Sequence, residues 1–198
     1  MAAHVIVVGG GLSGVAAATA LAERFRVKLY EREPRLLPHA PEALSRPAGP
    51  HTQRLLERLG ADAGAAQAPL AGPLALSTGA FLEARGGQVR TRTTARLLTD
   101  GGVRVYAREK EHRVRVVLWT APLDDGTAAD DVAGRGTGDG SAVHGGAPGG
   151  LAATGLTQPQ PGLFVLTGWI QERATDTIES AIARGHDAAE AVARALRS

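Results

Sequence analysis

"VIVVGGGLSG", residues 5–14, decides the fold of this 198-residue chain. Val5 to Val8 make a short strand with no polar face, of the kind buried on both sides in a parallel sheet. The glycine cluster that follows has the spacing Gly9-x-Gly11-x-x-Gly14. Ser13 to Arg24 then reads as a helix, rich in Ala and Leu, with no Pro and no Gly after Gly14. "RVKLYERE" (26–33) alternates and is β-branched or aromatic enough for a second strand. Strand, glycine turn, helix and strand in this order form a βαβ unit.

Each glycine of the spacing has a mechanical reason if the turn holds a dinucleotide. Gly9 permits the tight exit from the strand, Gly11 lets a pyrophosphate approach bare backbone, and Gly14 lets the helix pack closely on the sheet. Leu12 and Ser13 stand where the helix starts, so free N–H groups and the positive dipole end face the phosphates. The Ser13 hydroxyl is a further candidate donor. Glu31 follows Gly9 by 22 positions. A carboxylate there accepts hydrogen bonds from the adenosine ribose hydroxyls and repels a 2′-phosphate, which disfavours NADP. Arg32 either covers the adenine or ribose or is a solvated residue at the strand end.

Composition narrows the alternatives. Hydrophobic residues are 43% of the chain and aromatics only 4%, so a core must be built from Ala, Val and Leu. The 22 basic and 20 acidic residues nearly cancel, which gives no electrostatic reason to expect nucleic acid. The absence of Cys excludes disulfides, thiol catalysis and zinc–thiolate sites. The six histidines show no ligand spacing, and no metal site is expected. No apolar run reaches the length of a membrane span, and the start does not read as a signal peptide, so a cytoplasmic protein is the expectation.

Further along, helices are expected at Thr52–Leu59 and at 74–87, the second ended by glycine. Three strands are expected at 88–99, 102–108 and 113–119, separated by turns at Gly101-Gly102 and Glu109–His112. Asp124–Gly162 is dense in Gly, Ala, Asp and Pro and reads as a long flexible linker. A buried strand at 162–169 and a helix over 177–196 close the chain. The expected fold is α/β: one domain over 1–198, with a Rossmann-like parallel sheet, flanking helices and a small antiparallel β-meander.

The segment "VIVVGGGLSGVAAATALAERFRVKLYERE" resembles the opening of the flavin-containing amine oxidase superfamily, with its phytoene desaturase-like and protoporphyrinogen oxidase-like members. "FLEARGGQVRTRTTARLLTDGGVRV" (81–105), "VRVVLWTAP" (114–122) and the C-terminal "GLFVLTGWIQERATDTIESAIARGHDAAEAVARAL" are similar to later segments of that family. The resemblance implies FAD, with NAD as the alternative. It implies that main chain at Ala95 contacts the adenine and that the Thr120 turn returns to the nucleotide. It further places the helix start at Thr177, Ile178 and Glu179 near the flavin, while Trp169 either stacks near the flavin or is a core or rim residue.

Two departures from the family pattern stand out. Gly168 occupies the place of an Asp that binds the ribityl or phosphate region, which removes a charge-assisted hydrogen bond and weakens FAD binding. The family's substrate-binding insertions are reduced here to Pro34–Leu76 and Asp124–Gly162. The family's lysine near the flavin finds no match in Lys28 or Lys110, and no catalytic residue is assigned. The expected activity is dehydrogenation of a small or lipophilic substrate by hydride transfer to FAD. A homodimer or partner subunit would cover the flavin face. The rival readings are an NAD-dependent reductase and a non-catalytic dinucleotide-binding module.

Overall fold

β1 (His4–Val8) forms the centre of a six-stranded sheet, and four of its five residues are buried. The computed structural model describes residues 4–37, 49–60, 71–98, 104–107, 110–113, 116–120, 156–166 and 178–197. After β1 come α1 (Leu12–Leu21), β2 (Arg26–Tyr30), α2 (Pro50–Leu59) and α3 (Ala71–Ala84). Strands β3 (Gln88–Arg90), β4 (Ala95–Leu98), β5 (Arg104–Ala107), β6 (Lys110–Arg113) and β7 (Val116–Trp119) follow. The hairpin β8 (Leu156–Gln160) and β9 (Leu163–Leu166) leads to α4 (Ile178–Ala195).

The large sheet has the order β3-β2-β1-β7-β9-β8, and β4-β5-β6 make a separate antiparallel meander. Strands β3, β2, β1, β7 and β9 are mutually parallel, with Val8 opposite Tyr30 on one side and Trp119 on the other. The chain steps outward from β1 to β2 and β3, then returns to the other side of β1 at β7. The seam between β1 and β7 is therefore the topological switch point, where open α/β sheets hold their ligands.

Alternation along the strands sorts the core into two layers. Val5, Val7, Leu29, Val116, Leu118 and Phe164 face α1 and α4, while Ile6, Val8, Tyr30, Val117, Trp119 and Val165 face Ala95 and Ala107 of the meander. Helix α1 is buried at eight of its ten positions, which explains its nearly all-apolar composition. Its neighbour α4 comes close enough that a Cβ on Gly185 would lie 2.3 Å from the Ser13 carbonyl oxygen.

Three stretches differ in kind from the sequence expectations, and the helix expected at 74–87 is α3, Ala71–Ala84. The single strand expected at 88–99 is two strands in two sheets: β3 pairs with β2, β4 pairs with β5, and Arg92 between them has φ 49. The turn expected at Glu109–His112 is largely strand, because Lys110–Arg113 forms β6. A polar run suits a meander strand that has one face away from the core. Within the expected linker, Leu156–Gln160 is strand β8, anchored by buried Leu156 and turned into β9 at Gly162, whose φ is 83. The rest of that stretch, 124–155, lies outside the described residues.

Candidate dinucleotide site

The turn after β1 assigns a different constraint to each of its glycines. Gly9 has φ 108, a conformation that L side chains rarely adopt, and its N–H donates to the Tyr30 carbonyl at 2.8 Å. A Cβ on Gly14 would lie 1.8 Å from the Gly9 carbonyl oxygen, so only glycine lets α1 start this close to the strand end. A Cβ on Gly11 would meet nothing within 4 Å. Gly11 is thus the open side of the turn, and it fits a ligand that must approach the backbone.

Gly10 is held on all sides, a role the spacing rule does not assign. Its N–H donates to Glu31 Oε2 at 2.5 Å, and its carbonyl accepts from the Leu37 N–H at 2.8 Å. A Cβ there would lie 2.6 Å from Leu36 Cδ2. Gly10 has no amide to offer a phosphate. The donors left at the turn belong to the start of α1, where Gly11 is the N-cap residue and supplies no side-chain cap. The first helical bond is made only by Val15, to the Gly11 carbonyl, which leaves the amides of Leu12, Ser13 and Gly14 at the mouth of the turn.

Glu31 is buried at the end of β2, and both carboxylate oxygens are held: Oε2 by Gly10, Oε1 by the Glu33 N–H at 2.8 Å. Its backbone is bracketed by Arg90 and Thr93, which bond its N–H and carbonyl. The carboxylate is therefore fixed beside the glycine turn, as a ribose acceptor requires. Arg32 next to it is exposed, and its Nε lies 3.6 Å from Glu33 Oε1.

Two of the expected ligand residues make side-chain hydrogen bonds within the protein. The Ser13 hydroxyl donates to the Ala181 carbonyl of α4 at 2.8 Å. This hydroxyl joins α1 to α4. The Thr120 hydroxyl lies 3.0 Å from the Val8 carbonyl oxygen and 3.1 Å from that of Gly9. It braces the end of β1 across the switch point and supports the turn from beneath. Ala95 is buried in the meander core, opposite Ala107, two residues beyond the Thr93 that bonds Glu31. Ile178, the first residue of α4, packs against the main core. Gly168, Trp169 and Thr177 lie outside the described residues.

The Glu179 carboxylate points to another helix. Glu179, in the first turn of α4, caps the N-terminus of α2: its carboxylate accepts from the N–H groups of His51 (2.8 Å) and Thr52 (2.9 Å) and from the Thr52 hydroxyl. Burial alone would raise its pKa; the Thr52 and His51 hydrogen bonds and the His51 charge outweigh this and lower it. Seven residues on, Arg58 Nη1 lies 3.2 Å from His186 Nδ1, and Arg58 Nε donates to Glu23 at 2.7 Å. The two helices therefore run parallel. Burial, then the Arg58 and His51 charges, hold the His186 imidazole below its usual pKa. The only sequence sign of this arrangement is that Gly49-Pro50 begins a helix without a capping side chain.

Among the described residues no group of His, Asp and Glu is arranged to hold a metal ion, and no helix is long and apolar enough to cross a membrane. Residues 7–51 match the NAD(P)-binding Rossmann-like domain. That stretch runs from β1 through the glycine turn and Glu31 to the start of α2. No curated protein sequence matches the chain. Among solved structures, THI4 of Thermovibrio ammonificans is 17% identical, with 99% of this chain and 90% of that one covered and a TM-score of 0.58. The geranylgeranyl bacteriochlorophyll reductase-like protein of Thermoplasma acidophilum is 15% identical over 64% of this chain and 41% of its own, with a TM-score of 0.44. CtdE, solved in complex with FAD, is 12% identical over 60% and 37%, with a TM-score of 0.42. The chain thus spans about two fifths of the last two. With 393 solved chains matching, the likeness establishes a widely used fold and leaves the chemistry to the site.

Proposed function

We propose that this chain binds FAD and acts as the cofactor domain of an oxidoreductase that dehydrogenates a small or lipophilic substrate. The observation that carries the reading is the open start of α1 above Gly11, set at the switch point beside the buried Glu31 carboxylate. In this reading the amides of Leu12, Ser13 and Gly14 receive the pyrophosphate, and Glu31 receives the ribose hydroxyls. Thr120 keeps the turn in shape, and main chain at Ala95 borders the adenine. When bound, FAD supplies the electron sink for removal of hydride from a substrate C–H bond.

FAD is preferred to NAD on the resemblance of "LFVLTGWIQERATDTIES" to the last strand and helix of the amine oxidase superfamily. Trp169, Thr177 and Ile178 would adjoin the flavin, and Gly168 makes its binding weaker than an Asp there would. The match of residues 7–51 to an NAD(P)-binding domain favours a second reading, an NAD-dependent reductase. In either case we place the protein in the cytoplasm, with a homodimer or partner subunit completing the substrate pocket.

The absorbance spectrum of the purified protein, before and after addition of FAD and removal of excess, is the deciding measurement. Flavin bands retained by the protein are the expected outcome. A colourless protein that takes up NADH and no FAD moves the assignment to the second reading. A protein that takes up neither removes both.

A further inference from the structure

The start of α4 is the place where three elements meet. Glu179 reaches sideways to the N-terminus of α2. Two residues later the Ala181 carbonyl accepts the Ser13 hydroxyl of α1. One turn further, Gly185 lies so close to Ser13 that any side chain would strike its backbone. Ser13 is itself one of the residues at the open mouth of α1. A continuous set of contacts therefore runs from the first turn of α2, through Glu179 and Ala181, to the amides that face the phosphates.

The contact at Glu179 is built in from both sides. A Cβ on Gly49 would lie 2.4 Å from Glu179 Cδ, so the chain before α2 makes room for this carboxylate. Neither Gly49 nor Pro50 offers a cap of its own, and Glu179, 128 positions from His51, provides it. The negative charge also sits in the first turn of α4, so one carboxylate offsets the positive ends of two parallel helices.

We propose that Glu179 is a positioning residue for the dinucleotide: by tying the start of α2 to the start of α4, it fixes the turn of α4 that braces the open end of α1. The proposal rests on the dinucleotide reading above. Without the carboxylate the first turn of α4 loses its lateral tether. Ser13 then follows a less fixed partner, and the amides at the mouth of α1 lose part of their preset aim. Small losses of aim at a binding site are felt as affinity.

The test compares Glu179→Gln, which keeps size and shape, with Arg58→Ala, which breaks the same helix pair at its far end. Affinities for FAD and for ADP, a probe of the phosphate turn alone, are measured by titration, and amide hydrogen exchange is followed in α4 and α1. Glu179→Gln is expected to weaken both ligands about tenfold and to speed exchange in the first turns of α4 and α1. Arg58→Ala is expected to leave both affinities unchanged while it loosens the end of α2. Equal loss in the two variants would reduce Glu179 to general helix packing and overturn the proposal. So would unchanged affinity in Glu179→Gln. If the wild type binds ADP and no FAD, the flavin reading fails while the ADP arm still decides the role of Glu179. If it binds neither, faster exchange confined to α4, with none at the start of α1, rejects the link.

Discussion

The starts of α1 and α2 are the same local structure put to opposite uses. Each helix begins after a glycine in extended conformation, Gly11 with φ −71 and ψ −177 and Gly49 with φ −70 and ψ 175. Neither glycine supplies a side-chain cap. At α2 the orphan amides are taken by the Glu179 carboxylate, brought from a distant part of the chain. At α1 the space over Gly11 is open. A helix start that the protein fills for itself is structure, and one that it leaves open at a switch point is a place for an anion from outside. The glycines differ accordingly: Gly49 gives way to a side chain of the same molecule, and Gly11 borders open space, where the proposed reading sets the ligand.

Three substitutions or conditions break or sharpen this comparison. The largest effect is expected from Gly14→Ala. A methyl group set 1.8 Å from the Gly9 carbonyl oxygen forces α1 away from the strand, and a loss of about 3 kcal/mol is expected from overpacking. Chemical denaturation measures it, and a stable variant would show that the turn yields easily. Gly11→Ala is the converse. Its methyl meets no protein atom and its φ suits alanine. Stability should hold within about 0.5 kcal/mol, while FAD or ADP affinity falls at least about tenfold. Isothermal titration separates the two, and unchanged affinity would mean that no phosphate lies over Gly11.

The smallest effect is the pH dependence at α2. The folded-state pKa of Glu179 is lowered, so its stabilisation is fully present above the ordinary carboxylate pKa and is lost as pH falls through the native value. Wild type should exceed Glu179→Gln by about 1 kcal/mol near neutral pH, the usual worth of a helix cap. The two should converge in acid. Urea denaturation of both proteins over a pH series tests this, and a gap that persists in acid would assign the effect to shape rather than charge.

The parts of the site that sequence reading finds are those that depend on near neighbours. Val5–Val8, the glycine spacing and Glu31 lie within one βαβ unit, and each is where the pattern puts it. The contacts it does not reveal depend on chain that arrives from afar. The Ser13 hydroxyl bonds the Ala181 carbonyl, which α4 brings from 168 positions away. The Glu179 carboxylate caps α2, which no local pattern sets beside α4. The strand expected at 88–99 has unbroken β character in its residues; what divides it is a backbone turn at Arg92, held by a bond to the Glu33 carbonyl. Lys110–Arg113 looks like a turn because it is polar, yet a strand at the side of a meander needs few apolar residues.

The carboxylate of Glu31 bears on any effort to change which nucleotide this protein accepts. The same group that would face the ribose also receives the Gly10 amide, and Leu36 and Leu37 close over that glycine. Replacing Glu31 to admit a phosphorylated ribose would therefore remove a structural acceptor along with a selectivity element. A redesign has to furnish a new oxygen for Gly10 in the same step. On the proposed reading, a single side chain would carry both recognition of the ribose and the shape of the turn.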